Sequence, residues 1–281
     1  MAGSTSSTLD DLLPSIIQEA MFVSQEQSIM RGLVRNYSLA PGQGKLVNVP
    51  IYPKQTAAAV TEGDEVSNTA VSTSTATLTV ATNAIRTMVT DLARTASASN
   101  VVADIGRLFG EAIAAKIDKD LLALFSGFGT SAGDASTTLS AATVATAVAK
   151  LRGAGVAGND LAIVLNPYVA FDLKANLTNS FANPGAGMIQ NDAMKQGYLG
   201  MLFGVPVYET SNLVDTGTAG DYVGAVFHKD ALGLAMIGDI TIETQRRASF
   251  LGDDIIASCH YAVGELYDAY GVKIVADSTL V

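Results

Sequence analysis

Tryptophan is absent from this 281-residue chain, which has only one cysteine, Cys259, and two histidines, His228 and His260. A single thiol excludes any intrachain disulfide, so packing alone must hold the fold. Two histidines and one cysteine make a poor ligand set for a structural zinc site. Charge is scarce as well, at 16% of residues, and the balance is acidic: 27 Asp and Glu against 17 Lys and Arg, a formal net charge of −10. Affinity for nucleic-acid phosphates comes from Lys and Arg displacing counterions, and this chain lacks that signature. Its one adjacent basic pair, Arg246–Arg247, reads as a solvated or salt-bridged strand end rather than a DNA contact. No apolar run approaches the ~20 residues needed to span a bilayer. No basic stretch followed by an apolar core opens the chain, so no secretory signal is read there. The Asn36-Tyr37-Ser38 and Asn176-Leu177-Thr178 acceptor patterns then carry no weight.

What the chain does have is hydrophobic content, 48% of residues, in a length that can bury a core without staples. Most of its remaining polarity is Ser, Thr and Asn. Low charge suits a protein that hides much of its surface. The first 45 residues read as an arm, with Leu12, Leu13, Ile16, Ile17, Ala20 and Met21 at helical spacing and a break at 40–44. Residues 46–53 alternate as a strand, and Pro50 and Pro53 confine it to a sheet edge. A long run of small and polar residues follows, and then a second strand over 75–82, with Thr73, Thr75, Thr77 and Thr79 on one face and Ala76, Leu78 and Val80 on the other. So long a connection is uncommon in a compact domain unless it serves a function, and an isolated two-stranded ribbon needs a surface to lie on. The ribbon is therefore expected to pack on another copy of the chain, with an acidic tip at Glu62, Asp64 and Glu65.

The next element is the best signalled. A helix is expected over 100–125, capped by Asn100, with Val101, Ile105, Leu108, Phe109, Ala112, Ile113, Ile117, Leu121 and Leu124 as its apolar stripe. Arg107 with Glu111 and Lys116 with Asp120 are spaced as surface ion pairs. At ~1.5 Å per residue it spans roughly 40 Å. Residues 127–138 read as a flexible boundary. Beyond it come helices over 141–152 and 167–175, a loop over 181–187, a helix over 192–202, and strands over 161–165, 204–208, 222–228, 237–244, 254–264 and 272–275.

Chemistry is hard to find. Gly153, Gly155 and Gly158 match a dinucleotide-binding spacing, but a helix precedes them and a strand follows, the reverse of what pyrophosphate binding requires; a helix cap and turn explain them better. Cys259 and His260 are neighbours on a strand and so point to opposite faces, which leaves Cys259 as a small core residue. Asp253–Asp254 reads as a solvated loop, since it lacks the ligand periodicity of a calcium site. No G-x-S-x-G, P-loop or H-E-x-x-H is read in the chain. No catalytic, cofactor-binding or metal-binding residues are assigned.

The order of elements resembles the major capsid protein of tailed bacteriophages, with its HK97-like fold. Val60-Thr61-Glu62-Gly63-Asp64-Glu65 is similar to the family's E-loop tips. The 88–97 stretch MVTDLARTAS resembles the return into the spine helix, 204–212 (GVPVYETSN) the G-x-P-V…S-N strand and turn, and 227–235 (FHKDALGLA) the strand after it. The resemblance implies an α+β fold divided into an N-terminal arm (1–45), an extended E-loop hairpin (46–87), a P-domain with the spine helix (88–135), an A-domain (136–236), P-domain strands (237–270) and a C-terminal segment (271–281) that returns toward the A-domain. It implies a structural, non-enzymatic protein of the virion, assembled in the host bacterial cytoplasm. Hexamers and pentamers would tile an icosahedral shell that encloses double-stranded DNA without sequence-specific binding, and no membrane or cofactor is involved. A portal, a decoration protein and either a separate scaffolding protein or none are the expected partners; with about 45 residues ahead of the E-loop, no built-in scaffold is expected. Lys54, Glu62, Asp64, Glu65, Arg86 and Arg94 are the expected intersubunit contacts. Some members join an E-loop Lys to a P-domain Asn by an isopeptide bond; here no Asn follows Asn212, so Lys54 has no acceptor and no such bond is expected. An encapsulin-type compartment shell is the alternative within the fold. A hydrolase or cofactor enzyme, the alternative of another class, would need His228, His260 and an acidic residue to converge.

Overall fold

The computed structural model describes residues 29–40, 42–63, 65, 66, 68, 70–92, 101–156, 158–180, 200–213 and 220–280, with the side chains of 101–104 and 177–180 excepted. The helical periodicity at 12–21, the loop at 181–187, Asn100, Asp64 and Arg94 lie outside the described residues.

In chain order the elements are α1 (Met30–Leu33), β1 (Arg35–Leu39), β2 (Leu46–Ile51), β3 (Ser74–Thr79), β4 (Ala81–Thr90), α2 (Val101–Ala123), β5 (Ser131–Thr138), α3 (Ala141–Gly153), β6 (Leu161–Leu165), α4 (Pro167–Ser180), β7 (Met201–Leu202), β8 (Val205–Glu209), β9 (Asp221–His228), β10 (Leu232–Arg247), β11 (Gly252–Glu265) and β12 (Gly271–Asp277). They form a six-stranded sheet in the order β5-β12-β9-β6-β8-β7, a four-stranded sheet β1-β10-β11-β4, and the two-stranded ribbon β2-β3.

Each sheet follows from its residues. β6 is buried at every position, as its unbroken run of apolar residues requires. Gly224 on β9 lets it lie close by, since a Cβ there would meet the Val164 carbonyl at 2.6 Å. β10 and β11 run antiparallel for most of their length, with an irregularity between Ile237 and Thr241 beside Gly238, whose φ is +65°. The two sheets meet at one joint, where the Ala231 carbonyl accepts from the N–H groups of both Leu266 and Tyr267. α2 ends there in a short 3₁₀ turn over Leu124–Gly127. Phe125 packs on Phe128 and Phe227, and Gly271 is required opposite, because a Cβ there would lie 2.2 Å from the Phe128 ring.

Three expectations change. Residues 131–138 are a strand at the edge of the six-stranded sheet, not a flexible boundary: Lys273 and Ile274 pair with Ser131 and Ala132, a long-range partnership that its polar composition hides. Met201–Leu202, expected at a helix end, is a strand. Leu108 and Ala112 are exposed on α2. The buried arc runs instead through Phe109, Ile113, Ile117 and Leu121, together with Ala114, Asp118 and Leu122. The row four residues apart from Leu108 continues to Lys116, so it lies toward solvent. Asp118, fully buried in that arc, accepts from the Ile29 N–H at 3.3 Å and ties the chain's entry to the helix.

Candidate intersubunit interface

The ribbon has a docked base and an undocked tip. Alternation sends Val47, Val49, Ala76 and Leu78 to one face, and they pack on Ala235, Ala262 and Leu266 of the four-stranded sheet. Leu78 is the anchor, 3% exposed, and it fits because position 264 is glycine: a Cβ there would lie 2.4 Å from Leu78 Cδ2. Pro50 pairs with Thr75 on the ribbon's own ladder, and β2 has no other strand neighbour among the described residues. The base of the ribbon therefore lies on its own chain. Past it, the described residues of 52–73 carry no regular structure, and Tyr52, Val60, Val66 and Val71 expose 48–72% of their surface.

The expected contact residues separate into two groups. Glu62 and Glu65 are exposed on the tip with Gly63 turning the chain at φ +95°. Lys54 and Arg86 are engaged within the chain. Lys54 Nζ donates to the carbonyls of Ala154 at 2.8 Å and Gly155 at 3.1 Å, at the carboxyl end of α3. A cation there meets the negative end of the helix. That end is closed by a Schellman cap: Val156 N–H donates to Leu151 O and Gly155 N–H to Arg152 O, with Gly155 at φ +74°. The glycine triplet at 153–158 is thus a cap and turn. Arg86 donates to Asp254 Oδ2 at 2.8 Å, and Arg247 pairs with the same oxygen at 2.7 Å. Arg246 grips Asp91 at 2.6 Å and Asp253 at 3.4 Å, which raises its pKa.

Asp253 and Asp254 are therefore buried ion-pair partners, not a solvated loop: both are 5% exposed or less. They sit in β11 opposite Arg246 and Gln245 of β10 and Val89 and Met88 of β4, and the guanidinium groups of Arg86, Arg246 and Arg247 supply the compensation that burial demands. The sequence carried a signal for this. Two acidic residues a short turn after two arginines fit a hairpin with cross-strand charge pairs.

Among the described residues the cysteine and the two histidines stay apart. Cys259 is buried, and desolvation pushes its thiol pKa up. His260 Nδ1 lies 2.9 Å from Thr82 Oγ1 across the strand pair, whereas His228 Nδ1 accepts from the Asp230 N–H at 3.2 Å. Gly129-Thr130-Ser131-Ala132-Gly133 has the G-x-S-x-G spacing of a nucleophile elbow, a match the motif reading missed. Ser131 opens a strand, however, instead of standing at a strand-to-helix turn, and its carbonyl accepts from Lys150. Among the described residues no cluster of three metal-ligating side chains exists, and no helix is long and apolar enough to cross a membrane.

A long helix beneath a four-stranded sheet, a second, six-stranded sheet and a projecting ribbon define a shell-subunit architecture. The family of phage capsid proteins matches residues 54–275, and the chain belongs to that family. Its structure is similar to that of Mycobacterium phage Che8, with a TM-score of 0.70 and 23% identity over 88% of this chain and 91% of that one. It is also similar to the capsid structure of cyanophage P-SCSP1u (TM-score 0.69, 16% identity, 90% and 89% covered) and to the capsid of Ralstonia phage GP4 (0.68, 12%, 88% and 87%). No curated protein matches the sequence. The α+β, HK97-like fold expected from the resemblance is the one these structures share. The protein is a structural component of a phage shell, and its place is the virion capsid.

Proposed function

We propose that this chain is the major capsid subunit of a tailed phage. It self-assembles as hexamers and pentamers into an icosahedral shell around double-stranded DNA, in the cytoplasm of the host, and has no catalytic activity of its own. The observation that carries this reading is the ribbon: its base is anchored by Leu78, while the described part of 52–73 runs on without regular structure and exposes Tyr52, Val60, Val66 and Val71. Exposed apolar residues grouped in this way mark an interaction surface. In this reading residues 46–87 are the E-loop, 88–135 and 237–270 the P-domain, and 136–236 with 271–281 the A-domain; the pairing of β12 with β9 supports the last grouping, whereas its pairing with residues 131–134 of β5 draws the end of the 88–135 segment into the same sheet. Glu62, Asp64, Glu65 and Arg94 are proposed to face neighbouring copies. Lys54 and Arg86 act first within their own subunit.

Sizing and electron microscopy of the purified chain test the proposal. Closed shells with five- and six-fold clusters are expected, and a monomer that persists under every assembly condition would sink it. Phage particles should carry a portal and tail and hold DNA, unlike an enzyme-filled compartment. The E-loop is proposed to hold its neighbour by packing, strand contacts and ion pairs. A denaturing gel of mature particles should show the monomer band alone, and a covalent ladder would refute that.

A further inference from the structure

β7 and β8 are joined by a two-residue hairpin turn, and the turn contains the wrong residue for its geometry. Leu202 pairs with Val205 and Met201 with Pro206, so Phe203 and Gly204 are the two loop residues. Their φ angles are +53° and +80°, the pattern of a type I′ turn, in which Asn-Gly is the favoured sequence. Glycine suits its place. Phenylalanine does not, because its Cβ crowds the backbone in the left-handed region. Of the other non-glycine residues at positive φ, Asp160 is a type that tolerates that conformation, and Leu251 is held by the Asp91 N–H that donates to its carbonyl at 2.8 Å.

Phe203 is 47% exposed, and Met201, on the strand that leads into the turn, is 66% exposed. The hairpin itself is anchored, with Leu202, Val205 and Val207 all buried. Arg152 donates to the Phe203 carbonyl at 3.1 Å, and Val207 N–H to Gly200 O at 3.1 Å, so the turn is braced from both sides. β7 is also the last strand of its sheet among the described residues. A strained residue that the surroundings hold in place while its side chain stays exposed points to a contact made elsewhere. In a shell, the molecule next to each subunit is another copy of itself.

We propose that the Phe203–Gly204 turn is a contact between copies: the Phe203 ring and the Met201 side chain bury against an apolar surface of a neighbouring subunit. The inference rests on the capsid reading and adds a site to it. Met201 and Phe203 are exposed apolar side chains of the kind that anchors interfaces, on a hairpin whose Leu202, Val205 and Val207 are buried.

The strain gives the test two readouts of opposite sign. Phe203→Asn relieves the turn, so the unassembled subunit should melt about 2–4 °C higher, as a chain this size does for a modest gain in stability. The same change removes the ring, and the concentration needed for shell formation should rise at least tenfold. Phe203→Leu, which keeps an apolar side chain and the strain, should assemble nearer to the unaltered protein. Assembly of Phe203→Asn at the unaltered concentration would overturn the proposal. So would a Phe203→Asn subunit that melts lower, since the ring would then be supporting its own chain. Failure of the unaltered protein to form shells would instead count against the capsid reading.

Discussion

β6 and β2 are strands of similar length with opposite fates. Every residue of Leu161–Leu165 is buried, flanked by β9 on one side and β8 on the other. Leu46–Ile51 alternates between half-buried and exposed, has one strand neighbour, and ends in a segment without regular structure. One strand is completed by its own chain; the other is completed only in part. The core that holds the two sheets together, from Phe109 through Phe125 to Phe227, needs no second molecule. The ribbon is held by a separate small cluster of Leu78, Ala235, Ala262 and Leu266. Stability and assembly should therefore be separable by mutation, a useful property in a subunit that must be rigid in its body and compliant in its arms.

The largest effect should come from the shared core. Phe227 is fully buried and lies 5.3 Å from the Phe125 ring. Phe227→Ala should cost about 3–5 kcal/mol in urea or thermal unfolding of the subunit, because no neighbour can fill the cavity without moving a sheet. Next is Leu78→Ala. Its loss of about 2 kcal/mol, at the low end for a buried leucine, should fall on the ribbon alone. Hydrogen exchange should speed up at the amides of β2 and β3 while those of β6 and β9 stay protected, and assembly should weaken although the melting point hardly moves. If Leu78→Ala lowered the melting point as much as Phe227→Ala, the ribbon and the body would be one cooperative unit and the comparison would fail.

The same division explains what could be read from the sequence. The apolar run at 161–165, the existence of α2 though not the exact face it buries, the Pro-bearing edge strand and the order of elements were legible, since each is a local pattern with a local cause. β5 was not, because Ser131–Thr138 is small and polar and becomes a strand only through Lys273 and Ile274, far along the chain. The burial of Asp253 and Asp254 was missed for a similar reason: two adjacent carboxylates look solvated until three arginines, one of them on β4, are brought to them by strand pairing. Lys54 appeared to be free to reach a neighbour, and only the folded chain shows α3 presenting two carbonyls to it. Phe203 carried a faint signal, an aromatic before glycine between two short apolar stretches, that gains meaning only from the φ of the folded turn. For the acidic tip, the structure shows Glu62 and Glu65 exposed, in keeping with the solvated loop read from the sequence.

The smallest expected effect lies at the joint between the two sheets and is a matter of pH. Glu265, at the end of β11, faces the turn after α2, where a Cβ on Gly127 would lie 3.3 Å from its Oε2. Asp268 reaches the same turn and accepts from the Gly129 N–H at 2.7 Å. Desolvation, then repulsion from Asp268 and a hydrogen bond with it, raise the pKa of Glu265 above the ordinary carboxylate value. The folded state thus holds the proton more tightly than the unfolded chain does. Below the ordinary value both states are protonated, and the contribution of this group to stability is at its greatest. As pH rises from there through the raised value, the unfolded chain ionises first and stability declines, levelling off once the folded state has ionised too. Lys273, whose Nζ donates to the Ser126 carbonyl at 3.2 Å, is engaged elsewhere at the joint. Since Glu265 is only half-buried, water moderates the effect. Glu265→Gln should flatten the subunit's melting-temperature profile across mildly acidic pH and leave the ribbon's exchange untouched. An unchanged profile would mean that the carboxyl pair is solvated and that the joint is held by Phe125, Phe128 and Phe227 alone.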